Sequence, residues 1–357
     1  MAKQKKNFIE KYFNFKNSLL YFALFILISA VSLYYINKIY SQESNLNIFF
    51  SFPQKIIISI FGLLFFYYIL DGLRLYFVLK TLKADISFWN VYKLVFINIF
   101  ISNITPLATG GGFAQVYFLQ KKGVALGKSS AAVLIRTLLS ATMLFLSVPL
   151  IIFSNQSMLN LLPGGYVYLY LAVFLGLYFL IFYLIIFKVR LIMKCFYKFF
   201  YFLKSRHLLT KKRFRKIIRY IFKHLELFSE DLAFFIQGKK IFVILSFLFT
   251  VIFLLAEFLF SYLMLIGLGY QVSFFEILSL QILVVFIMYF APTPGAAGIA
   301  EGGYSLLFAR FVAEKDLFPL LFYWRFFSKY IGIFIGVFVF FYLIIKQSYA
   351  YFITERR

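Results

Sequence analysis

An all-α polytopic membrane protein, with about six full spans and two opposed re-entrant hairpins in an inverted repeat, is the fold class that three observations predict. The first is composition. Of 357 residues, 63% are hydrophobic and mean hydropathy is +0.89, whereas soluble domains are about half apolar. The second is the placement of charge. Lys and Arg number 37 against 13 Asp and Glu, a formal net charge of +24. In a soluble chain that excess would suggest nucleic acid. Here the cations lie between apolar runs, as cytoplasmic flanks beside anionic lipid do. The third is a pair of Pro/Gly breaks inside apolar sequence, Thr105-Pro106-Leu107-Ala108-Thr109-Gly110-Gly111-Gly112 and Pro292-Thr293-Pro294-Gly295-Ala296-Ala297-Gly298-Ile299-Ala300-Glu301-Gly302-Gly303. Pro removes a backbone donor and Gly weakens helix propagation. Unpaired backbone in hydrocarbon costs several kcal/mol, so such breaks must be buried in protein or line a wet cavity.

The elements follow in order. Residues 1–55 form an N-terminal anchor. Lys3, Lys5, Lys6, Lys11 and Lys16 precede the span Leu19 to Ile36 and hold the N-terminus in the cytoplasm. No small-residue cleavage site follows, so the run is an uncleaved anchor rather than a signal peptide. Residues 56–153 are the first repeat. Ile56 to Leu79 returns inward to Lys80 and Lys83, Phe88 to Ile104 meets the first break, and Ser130 to Phe153 crosses outward. A full crossing by Phe88 to Ile104 would place Lys121, Lys122 and Lys128 outside. A hairpin that enters and leaves from the cytoplasm keeps them inside. Residues 154–240 hold an uncharged external loop, an inward span from Tyr166 to Phe187, and a basic connector from Lys188 to Lys223 that includes Lys211-Lys212-Arg213-Phe214-Arg215-Lys216. The connector is expected to lie as amphipathic helix on anionic headgroups. Residues 241–345 are the second repeat, with spans Ile241 to Ile266 and Leu317 to Ile345 around the second break. Residues 346–357 are a cytoplasmic tail.

The two repeats share one plan of span, broken hairpin and span, entered from opposite sides. Aligning Pro106 with Pro292 sets Gly112 on Gly298, Ala114 on Ala300, and Gln115 on Glu301. Asp71 and Glu257 fall at nearly equal depth in the preceding spans, and Arg136 and Arg325 lie equally far into the following ones. Inverted repeats with paired broken helices point to a transport site at the bilayer midplane. Thr105, Pro106, Gly110, Gly111, Gly112, Gln115, Arg136, Pro292, Pro294, Gly295, Gly298, Glu301 and Arg325 are therefore the candidate substrate-binding residues. Asp71, Arg74 and Glu257 are candidates for coupling or for a polar cleft. Plainer readings stand beside these. Asp71 and Arg74 could neutralise each other across one helical turn. Arg136 and Arg325 could snorkel to a membrane face. Gly332 and Gly336 read as helix packing. Glu301 is expected to face a central cleft and to act on substrate or a coupling proton; the alternative is a helix cap.

These residues carry a resemblance. Thr105-Pro106 followed by Gly110-Gly111-Gly112, Tyr117 and Arg136, and Pro292-Thr293-Pro294-Gly295-Ala296-Ala297-Gly298-Ile299-Ala300-Glu301, resemble the two signatures of a flippase-like membrane family. That family includes the transmembrane region of lysylphosphatidylglycerol synthases. Its second signature usually reads Pro-x-Pro-Gly-Gly-x-Gly-x-x-Glu, and this chain departs from it at Ala296. The resemblance implies a bacterial-type inner (plasma) membrane location and movement of aminoacylated phospholipid between leaflets. No synthase segment follows the last span, so a transporter is expected rather than an enzyme.

Two classes of function remain. One is translocation of a phospholipid or lipid-linked headgroup, anionic, aminoacylated or sugar-bearing. The other is a membrane partner or enzyme of envelope lipid or glycan synthesis. The external loops offer only Glu43, Glu314 and Asp316 for acid/base work. No Gly-x4-Gly-Lys-Ser/Thr motif supports direct ATP drive. Cys195 stands alone and His207 and His224 are the only histidines, so no disulfide, metal site or cofactor is expected. The partners are membrane lipids, without nucleic acid, and a homo-oligomer is compatible with the sequence. The 53 Phe and 27 Tyr match AT-rich codon usage rather than an aromatic cage.

Overall fold

A computed structural model describes residues 15–40, 46–154, 167–206 and 209–355. Lys3 to Lys11, most of the loop at 154–165, His207 and the terminal Arg356 and Arg357 lie outside the described residues. The helices are α1 (Phe15–Tyr40), α2 (Gln54–Thr81), α3 (Phe88–Ile104), α4 (Thr109–Lys121), α5 (Leu126–Ser154), α6 (Val167–Phe187), α7 (Val189–Ser205), α8 (Lys211–Ile236), α9 (Lys240–Gly267), α10 (Phe274–Met288), α11 (Ile299–Phe308), α12 (Glu314–Arg325) and α13 (Ile331–Glu355). A π-helical turn, Phe326–Tyr330, joins the last two. No strand occurs among the described residues. Four helical stretches are long and apolar enough to cross a membrane: Gln54–Thr81, Leu126–Ile152, Lys240–Gly267 and Glu314–Lys346. The other two predicted spans are α1 and α6, whose apolar described portions are the shorter Ala23–Ile39 and Ala172–Ile181.

The centre of the molecule is the antiparallel pair α2 and α9. Each has 28 residues, and one shift of 186 residues (240 less 54) carries the first onto the second. Tyr67 of α2 stacks on Phe253, the residue that this shift assigns to it, at 4.8 Å between ring centroids. The same shift turns the contact of Arg74 over Phe253, 4.2 Å, into the edge contact of Phe260 with Tyr67, 5.8 Å. Such self-matching contacts are what a two-fold relation between the repeats produces.

The hairpins attach at opposite ends of this pair. The start of α9 lies beside the end of α2, where Gly238 abuts Thr81; its other end lies beside the start of α2, where Gly267 abuts Phe52. The base of hairpin one (α3–α4) is closed at the first end by Lys128 Nζ, which donates to the Lys83 carbonyl at 3.2 Å. The base of hairpin two (α10–α11) is closed at the second end by the Tyr270 hydroxyl. It donates to Asp316 at 2.7 Å and accepts from the Ala313 amide at 2.9 Å. Burial and the Asp316 carboxylate push the Tyr270 phenol above its ordinary pKa. The arms have 17 and 15 residues, or about 25 and 22 Å at 1.5 Å per residue, so each tip stops near the middle. Ser87 and Ser273, again 186 apart (273 less 87), are the N-caps of α3 and α10.

Gly332 and Gly336 let α13 close on α3, as their spacing predicts. A Cβ on Gly336 would run into the Phe96 carbonyl and lie 2.7 Å from the Phe100 Cβ; one on Gly332 would lie 3.0 Å from Ile99.

Candidate functional site

The two tips turn by the same device. In hairpin one, Pro106 follows the last turn of α3, and Leu107 and Ala108 both take left-handed backbone, φ 55° and 52°. In hairpin two, Pro294 is followed by Gly295 and Ala296 at φ 59° and 55°. Left-handed backbone costs a residue with a Cβ about 1–2 kcal/mol, so three of these four positions hold strain of the kind found at functional sites. The geometric partner of Pro106 is thus Pro294 and not Pro292, which lies exposed. α10 unwinds early at Met288, and Ala297-Gly298 delay the start of α11. The expected pairing of Gln115 with Glu301 fails for this reason. Glu301 is the third residue of its helix, whereas Gln115 lies in the interior of α4 and donates to the Leu94 carbonyl at 3.0 Å.

The tips touch. A Cβ on Gly295 would lie 2.9 Å from the Asn103 Oδ1 of hairpin one and 2.7 Å from the Phe25 ring of α1. Gly110 and Gly111 are closely packed inside hairpin one. Side chains there would collide with Thr105 and Ile101, and with Ser102 and Asn98. Thr105 Oγ1 accepts the Gly110 amide at 3.0 Å. Gly112 faces Val133 of α5, 3.3 Å from where its Cβ would stand. The first tip remains open, with Pro106 to Thr109 exposed, while Pro294 and Ala297 of the second are buried.

Glu301 does not face a cleft. It is 0% exposed. Its Oε2 accepts the Gly298 amide at 2.6 Å and its Oε1 accepts Arg325 Nε at 2.7 Å. Arg325 Nη2 also donates to the Gly295 carbonyl at 3.4 Å. The carboxylate therefore caps α11, and with Arg325 it clamps the second tip to α12.

A second cluster lies between α2 and α5. Arg136 Nη1 reaches Asp71 Oδ1 at 3.2 Å, and Arg74 Nη1 lies 3.6 Å from the same oxygen. Arg74 Nη2 donates to Ser140 Oγ at 2.5 Å and to the Arg136 carbonyl at 3.4 Å. All three charged side chains are buried, so neither arginine snorkels. Asp71 neutralises one of the two, and the Nε donors of Arg74 and Arg136 have no partner among the described residues.

The equal depth of Asp71 and Glu257 holds, but the cation facing Glu257 is Lys329, with Nζ to Oε1 at 2.9 Å. Arg136 and Arg325 are thus not counterparts: one pairs with α2 and the other with its own hairpin. The seven charges sum to plus one, with Arg74, Arg136, Arg325 and Lys329 against Asp71, Glu257 and Glu301. Sequence reasoning missed Lys329, although a lysine within an apolar run is a signal in itself. It stands on the π-helical turn, a distortion frequent at functional sites. Tyr289 was missed as well. At the end of α10 it is within electrostatic reach of Arg74, Arg136 and Glu257, yet it is 41% exposed. No metal-ligand group of three or more His, Cys, Asp or Glu occurs among the described residues.

Comparison with known proteins follows the same lines. The family model described as lysylphosphatidylglycerol synthase TM region matches residues 22–336. A "UPF0104 membrane protein" of Archaeoglobus fulgidus is 24% identical over 267 residues, covering 72% of this chain and 77% of the relative. Another of that description, from Methanocaldococcus jannaschii, is 32% identical over 140 residues, 37% of this chain and 39% of its own. No solved structure matches.

Proposed function

The chain belongs to the family of the lysylphosphatidylglycerol synthase TM region, and from that membership we propose that it carries the phosphate-bearing headgroup of a phospholipid or lipid-linked sugar between leaflets, past the two hairpin tips. The observation that carries this reading is the charge left over beside Asp71. Burying an ion costs several kcal/mol, and a buried cation without a partner is worse still. Two guanidinium groups share one carboxylate there and keep two N–H donors unused. A phosphate oxygen would supply the missing charge and accept those donors. The part-exposed Tyr289 beside the cluster marks the way in, and the open first tip faces the clamped second one as the two halves of a gate. Transport then requires the Glu301–Arg325 clamp and the open tip to exchange roles. In this orientation the bases of hairpin one and both termini face the cytoplasm of an inner membrane.

The test is reconstitution of the pure protein in liposomes with fluorescent phospholipids and a quencher outside. Wild-type protein is expected to expose inner-leaflet label, and Arg136→Gln to slow this at least tenfold, or about 1.4 kcal/mol. Wild-type protein that moves no lipid would falsify the proposal. Appearance of a new lipid product in the same vesicles would replace it with the enzyme reading.

A further inference from the structure

Away from the tips, the basic connector folds as a helical pair, α7 and α8. No residue of α7 is buried. Leu191, Phe199 and Phe202 expose an apolar stripe together with Cys195, at the spacing of one helix face. Arg190, Lys194 and Lys198 form a second stripe four residues apart, turned about 100° from the first. That combination lies in the plane of a membrane surface with its apolar face inserted. The pair is held as one unit by Phe214, which packs its ring against Tyr197 at 5.7 Å and lies under Lys204 at 5.4 Å. α8 in turn packs on α5 and α6.

Between the two helices runs a groove of about 360 Å³. Its walls are Met193, Tyr197 and Phe222, and its rim is the stripe Arg190, Lys194 and Lys198. No carboxylate is among its lining residues. We propose that this groove holds one anionic phospholipid of the surrounding leaflet, its phosphate among the three cations and the start of an acyl chain along Phe222 and Met193. Charge complementarity and apolar walls together select that occupant. A soluble anion would leave Met193 and Phe222 unused, and a zwitterionic lipid would bring a cation to a rim of cations. The site is separate from the Asp71 cluster and does not depend on transport.

The experiment uses the full chain in nanodiscs of equal phosphatidylglycerol and phosphatidylcholine, released for native mass spectrometry to read retained lipid. Wild-type protein is expected to keep phosphatidylglycerol in preference to phosphatidylcholine. Replacing Arg190, Lys194 and Lys198 by Gln should lower its retention at least about fivefold. Removing as much charge outside the groove, at Lys211, Lys212 and Arg215, should leave it within about twofold, because diffuse attraction is screened and unspecific. Phe222→Ala keeps every charge and guards against a misfolded triple variant; it should also lower retention. Equal loss in the outside variant, equal retention of both lipids, or displacement of the bound lipid by inorganic phosphate would each overturn the proposal. Every variant keeps the Asp71 cluster, so this result stands or falls apart from the liposome assay.

Discussion

At the scale of single residues, Glu301 and Arg136 make opposite predictions. Both Glu301 oxygens are engaged out of water. Glu301→Gln leaves Arg325 without its counter-ion and sets an amide N–H₂ against one of two donors. Breaking a buried pair on one side costs about 3–5 kcal/mol, so Tm should fall sharply. Replacing the pair together, Glu301→Gln with Arg325→Met, should restore most of that loss, because a neutral filling of similar volume is often no worse. An unchanged Tm in the single variant would show that the clamp is not made. Arg136→Gln, by contrast, removes the surplus charge. It should cost little stability, since Arg74 still satisfies Asp71, while lipid movement drops. The importance of both residues was legible in the sequence, because ionisable groups at membrane depth are rare. Their partners were not. Two residues added on each side of the second tip shift Glu301 out of register with Gln115, and Glu257 meets Lys329 of the π-helical turn rather than Arg325.

At the scale of elements, the close approach of α13 and α3 governs how freely hairpin one can move. Gly336 meets the Phe96 carbonyl directly, and Gly332 has slightly more room at Ile99. Gly336→Ala should therefore destabilise the protein by about 1–3 kcal/mol through overpacking, and Gly332→Ala by less. Thermal unfolding of the two variants in detergent checks the order, and the reverse order would contradict this packing. Spans, breaks and the small-residue motif were readable because each is a local property of composition and spacing. Helix ends at the tips were not. Leu107, Ala108 and Ala296 take left-handed backbone that their side chains disfavour, so no sequence rule places a turn there. The surroundings enforce it.

At the scale of the whole molecule, the opposed hairpins predict a labelling pattern. In a Cys195→Ser background, cysteines at Lys121 and Lys128 should react with impermeant reagents from the cytoplasm, and one at Glu314 from outside. The bases that carry them lie at opposite ends of the α2–α9 pair. Reaction of Lys121→Cys and Glu314→Cys from one side would mean that the repeats are not inverted in the membrane. The ion pairs have a further consequence. Asp71 with Arg74 and Arg136, Glu257 with Lys329, and Glu301 with Arg325 each join residues of one repeat. What crosses between repeats at the centre is ring contact, Tyr67 on Phe253 and Phe260 and the Arg74 guanidinium over Phe253. During synthesis at about 5–20 residues per second, α9 emerges on the order of ten to forty seconds after α2. Through that interval the first repeat already holds every countercharge of its ion pairs, and what it still lacks at the α2–α9 seam are rings rather than counter-ions. The chain can thus be made as two separately insertable halves. Coexpressed fragments 1–206 and 207–357 should assemble and copurify, and reversing the charges of Asp71 and Arg136 in the first fragment should leave that assembly intact.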